Sequence, residues 1–159
     1  GSKGANDING ERKMSYFSLT EFISDDQLDH PQVADRQIIP KIKTWIDELN
    51  KVRSLVGYPI KITDSVRWGN GTSQHYFNCA GAIDLRPVLI DSNNFLYLLL
   101  ALYANPNINR ICYYPPGKLF AYGGFHIDKK FHGKHLFISN GDVVKWEIID
   151  LHELVKEFR

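Results

Sequence analysis

Two histidines and an aspartate, His75, Asp84 and His126, each stand beside small residues and short apolar runs. Imidazole nitrogen and carboxylate oxygen are ordinary zinc donors, and three protein ligands leave a fourth position open, the mark of a catalytic rather than a structural site. Zinc held in that way polarises a peptide carbonyl and acidifies water, while a nearby carboxylate moves the proton. Asp128 lies two residues beyond His126, so on a strand the two side chains share a face. It reads either as the general acid/base or as an anchor that orients a ligand imidazole. Spacing alone leaves other readings open. A lone histidine is more often a hydrogen-bonded structural residue, Asp84 has Arg86 within reach as an ion-pair partner, and Asp64 or Arg67 near a turn is a surface or capping group. Cys79, between His75 and Asp84, is either a soft alternative ligand or a buried thiol.

The elements that must position these residues follow from hydrophobic periodicity. Ile39, Ile42, Trp45, Ile46, Leu49, Val52 and Leu55 recur at three- and four-residue steps, one face of a long helix with Pro40 in its first turn and Gly57 at its end. Residues 93–103 are an apolar helix bounded by Ser92-Asn93 and by Asn105-Pro106, and residues 150–158 repeat the helical spacing. Short strands are expected at 60–63, 82–85, 110–114, 125–128 and 143–149. Residues 67–73, rich in Gly, Asn and Thr, form a loop, and Tyr114-Pro115-Pro116-Gly117 is a turn on the rim of the site. Tyr16, Phe17 and Phe22 around Ser18 and Thr20 open the domain with a short aromatic-anchored helix. Helices followed by a mostly antiparallel sheet make an α+β layer structure in one domain, 15–159. The polar segment 1–14 reads as a disordered leader, its Gly1-Ser2 a cloning remnant, and no signal segment follows it.

Four motifs in this order resemble the Hedgehog-like D-alanyl-D-alanine carboxypeptidase zinc peptidases, in the branch found among bacterial and phage cell-wall hydrolases such as endolysins. Members open with Tyr-Phe-Thr-Leu-x-Glu-Phe, matched by residues 16–22 with Ser18 in the Thr position. Their Thr-Ser-Gly-Tyr-Arg becomes Thr63-Asp64-Ser65-Val66-Arg67, and their Ser-x-His becomes Ser73-Gln74-His75. Gly-x-Ala-x-Asp is partly matched by Ala80-Gly81-Ala82-Ile83-Asp84, and Phe-His-x-Asp by Phe125-His126-Ile127-Asp128. The resemblance implies an α+β Hedgehog-like fold and zinc held by His75, Asp84 and His126. It further implies hydrolysis, by metal-activated water, of D-amino-acid-containing bonds in a peptidoglycan stem peptide at the cell wall. Arg67 would fix a substrate carboxylate or carbonyl, with Trp68, Ser73 and Gln74 beside it, and Asp128 would move the proton. Two features depart from the family: two extra residues separate His75 from Asp84, and Gly123 stands where many relatives carry an acid three positions before the last histidine. They keep a second expectation alive, a non-catalytic Hedgehog-like domain that binds cell-wall peptide or a protein partner.

The remaining composition excludes more than it assigns. Nineteen basic and eighteen acidic residues leave a net charge of +1 with no basic block, so nucleic acid is not the expected partner. The longest apolar run, residues 95–104, is about half of what a bilayer span requires. Cys79 and Cys112 form neither a CxxC pair nor a disulfide framework. Lys130, His132 and His135 either line the cleft or belong to a solvated charged run, and the aromatics Trp68, Tyr76, Phe77, Tyr113, Tyr114 and Tyr122 either wall a groove or fill the core.

Overall fold

A helix of 19 residues, α1 (Ile38–Val56), forms because apolar residues recur along one side of a segment free of interior Gly. Its stripe of Ile38, Ile42, Trp45, Leu49 and Val52 is buried. Leu55, expected on that stripe, is 70% exposed, while the next residue, Val56, packs against the core. The computed structural model describes residues 6–8, 11–13, 15–29, 38–67, 72–76 and 81–159. The second helix, α2 (Ser92–Ala104), starts where the Asp91 carboxylate accepts from Asn93 N, and it packs against α1 and the sheet. The third, α3 (Leu151–Val155), is capped by Asp150 and continues into a 3₁₀ turn, Lys156–Phe158. Among the described residues no helix is long and apolar enough to cross a membrane.

Two short strands precede the helices. In the segment expected to be unstructured, β1 (Asn6–Ile8) pairs antiparallel with β2 (Glu11–Lys13), and the intervening Asn9-Gly10 is the dipeptide that two-residue hairpins favour. The opening helix at 16–22 is a single 3₁₀ turn, Leu19–Glu21, in which the Glu21 carboxylate accepts from Ser18 N at 2.7 Å.

The main sheet has six strands: β3 (Ile60–Asp64), β4 (Ala82–Pro87), β5 (Arg110–Tyr114), β6 (Gly124–Asp128), β7 (His135–Ser139) and β8 (Trp146–Ile148). Their spatial order is β3-β4-β6-β5-β7-β8, antiparallel throughout except that β5 and β7 run parallel. Sequence periodicity missed β7 and overextended β8, which was expected over 143–149. The sheet separates two worlds by simple alternation. Ile83, Leu85, Ile111, Tyr113, Phe125 and Ile127 point toward the helices and are buried with α1, α2 and Phe158 in one apolar core. The residues between them, Asp84, Arg86, Arg110, Cys112, Tyr114, His126 and Asp128, share the opposite face. The molecule is thus a single small α+β domain with its helices on one side of the sheet and the charged side chains of β4, β5 and β6 on the other.

Candidate metal centre

Register brings the expected ligands together. Asp84 and His126 are directly paired across β4 and β6, and Asp64 at the end of β3 pairs with Asp84 from the other side, after a β-bulge. His75 comes from the connection between β3 and β4. That turn is fixed by backbone bonds, Arg67 N to His75 O at 2.7 Å and Tyr76 N to Ser73 O at 3.1 Å.

The three groups are 3%, 7% and 7% exposed for His75, Asp84 and His126. Asp84 Oδ1 lies 3.3 Å from His75 Nε2 and 3.1 Å from His126 Nδ1, and one donor atom from each residue lies within 4.8 Å of the others. Tetrahedral zinc, with ligand bonds of about 2.0–2.1 Å, spaces its donors about 3.3–3.4 Å apart, so the 3.3 Å edge from Asp84 to His75 stands at that length and the 3.1 Å edge to His126 is slightly shorter. Each imidazole also has its other nitrogen tied back. His75 Nδ1 bonds the Ser65 carbonyl, and His126 Nε2 meets Asp128 Oδ2 at 2.8 Å. The nitrogens left facing Asp84 are therefore oriented, as metal-ligating imidazoles ordinarily are. The donor set fits a metal ion such as zinc.

Asp128 is wholly buried. Its carboxylate accepts from Arg110 Nε at 2.9 Å and Nη2 at 2.6 Å, from Lys130 N at 3.0 Å, and holds His126. Burial alone would raise its pKa, but His126 and Arg110 outweigh that and bring it down to about 2. Burial would likewise discharge His126, yet its bonds to Asp128 and Asp84 raise its pKa above the usual histidine value. Asp84 answers in the opposite sense: burial is outweighed by the two imidazoles, which hold it below the ordinary carboxylate range. Trp146 closes this end. Its ring stands 5.0 Å from that of His126, Arg110 lies 4.8 Å over it, and its indole N–H donates to Tyr114 Oη at 2.5 Å.

The group opens into a cleft of about 620 Å³. Arg67 and Ser73 line it; Gln74 does not, and Trp68 lies outside the described residues, as do Phe77 and Cys79. Arg67 gives Nη2 to Asp64 Oδ2 at 2.7 Å. Asp128, Lys130, His132 and His135 are absent from the lining. Tyr114 and Tyr122 are wall residues, whereas Tyr113 is core. The loop after Tyr114 does form a rim, contributing Leu119 to Gly123. Comparison with protein-family models, curated proteins and solved structures returned no match. The centre therefore has to be read from its own chemistry.

Sequence reasoning missed four participants. Arg110 and Trp146 carry no motif; only register reveals that Arg110 pairs with Asp128 across β5 and β6 and that Trp146 stands opposite Ser139 on β8. Phe120 enters the cleft because Gly124 has no side chain: a Cβ there would fall 2.7 Å from the Phe120 ring, which stacks on Tyr114 at 4.3 Å. Arg86, read as a partner for Asp84, instead donates Nη1 to the Pro87 carbonyl at 2.9 Å and lies over Tyr122.

Proposed function

We propose that this chain is a zinc-dependent peptidase with a Hedgehog-like fold, cutting a D-amino-acid-containing peptide of the bacterial cell wall. The observation that carries the reading is the His75–Asp84–His126 group, oriented from behind and open to a cleft in front. Zinc bound there supplies Lewis acidity toward a peptide carbonyl and toward water. The chain's own residues do the rest. Ser65 and Asp128 hold the two imidazoles, and Arg110 keeps Asp128 ionised. Tyr114, Phe120 and Trp146 wall the cleft and exclude water from one side of a bound peptide. Asp128, enclosed behind His126, serves as an orienting anchor rather than as the proton carrier. That task falls to Asp64, the other carboxylate lining the cleft among the described residues, at its Oδ1 or Oδ2.

One observation favours a second reading, a domain that binds cell-wall peptide without cutting it. Asp64 is already engaged by Arg67 and by Ser65 N at 2.9 Å, and Gly123 offers no acid in its place. Synthetic stem peptides decide between the two. Zinc-loaded protein should release a new amine from a D-alanine-containing peptide, and chelation should stop it. Binding of that peptide without cleavage would leave the non-catalytic domain as the answer.

A further inference from the structure

Among the described residues Lys61, Arg67 and Arg86 bring positive charge to the cleft, and they are not equivalent. Arg67 is neutralised within the chain by Asp64. Arg86 and Lys61 have no carboxylate partner among the described residues. They are directly paired across β3 and β4, so both side chains leave the same face of the sheet, and both line the cleft. Arg86 is also two residues beyond Asp84 on β4 and shares its face.

The guanidinium of Arg86 is held rather than loose. One nitrogen is fixed to the Pro87 carbonyl, and the Tyr122 ring lies 5.1 Å beneath Cζ. Its Nε and Nη2 have no acceptor among the described residues, and a guanidinium edge so presented matches a carboxylate. Tyr114, Phe120 and Trp146, which also line the cleft, carry no charge. Asp84 is engaged by His75 and His126, so it does not pair with the Lys61–Arg86 end.

We propose that Lys61 and Arg86 form a subsite for a free carboxylate of the substrate, on the β3 side of the bond that lies at the metal group. This rests on the peptidase reading for the position of the scissile bond, but the carboxylate preference itself does not need cleavage.

The test uses an N-acetylated tripeptide ending in D-alanyl-D-alanine, as free acid and as C-terminal amide, with binding to zinc-free protein followed by Trp fluorescence or NMR shifts. The free acid should bind about tenfold more tightly than the amide, the scale of one well-formed charge-assisted contact. The Lys61→Gln, Arg86→Gln double variant should lose that preference while keeping its affinity for the amide and its zinc content. Equal binding of acid and amide, or a preference that survives in the double variant, would overturn the proposal. So would inorganic phosphate binding as tightly as the free acid, because the site would then take any anion. A peptide that shows the acid preference yet is left intact by zinc-loaded protein removes the peptidase reading and leaves the subsite standing.

Discussion

His75 and His126 present the same imidazole to the same aspartate, but the chain fixes them in different ways. His126 sits mid-strand in the centre of the sheet, and its far nitrogen is held by a side chain, Asp128, that is itself clamped by Arg110. His75 sits in a connection, and its far nitrogen is held by a backbone carbonyl, that of Ser65. A side-chain anchor carries charge and can be deleted by one substitution. A backbone anchor carries no net charge and survives any replacement of its own side chain. The difference shows which half of the centre is tuned by electrostatics and which by loop geometry.

The bluntest way to erase the contrast is to remove the ligands themselves. His75→Ala and His126→Ala should each lower bound zinc from about one per chain to near zero by elemental analysis, since two remaining donors do not hold the ion. Full occupancy in the double variant would dismiss the site. Deleting the anchors should then separate the two histidines. Arg110→Met leaves a buried carboxylate without its cation and should cost about 3–5 kcal/mol in chemical denaturation. Asp128→Asn should keep the fold and weaken zinc about 10–100-fold in chelator competition.

Acid probes the same anchor more gently. Because the folded pKa of Asp128 is depressed from 3.8 to about 2, its stabilisation is complete above the unfolded value and disappears as pH falls from 3.8 through 2. The amount is about 2 kcal/mol, seen as a drop in unfolding free energy over that window that the Asp128→Asn variant lacks. On the other side, Ser65→Ala should leave zinc affinity within about twofold, because the carbonyl that holds His75 remains and the Ser65 hydroxyl has no hydrogen-bond partner among the described residues. A large loss there would mean that the two anchors are not different in kind.

How much of this could be read beforehand follows the same division. His126 and Asp128 were legible because a strand's period of two places them on one face, and α1 and α2 were legible because their apolar stripes are strong. Which of its two roles Asp128 takes was not legible, since that depends on Arg110 arriving from β5, sixteen positions upstream of His126 in the chain but adjacent in the sheet. β7 escaped notice because His135-Leu136-Phe137-Ile138-Ser139 lacks clean alternation and follows a charged segment. Arg67 was readable as a cleft residue, but its commitment to Asp64 three positions away appears only when the turn of the chain is known.

Zinc K-edge absorption of the loaded protein tests the central claim most directly. A centre made by His75, Asp84 and His126 with one position open should show only nitrogen and oxygen neighbours at about 2.0–2.1 Å, with imidazole outer-shell scattering from two rings that falls to one in His75→Ala or His126→Ala samples forced to bind metal at high zinc. A sulfur neighbour at about 2.3 Å would contradict it, because a cysteine, Cys79 or Cys112, would then have taken the place assigned to Asp84.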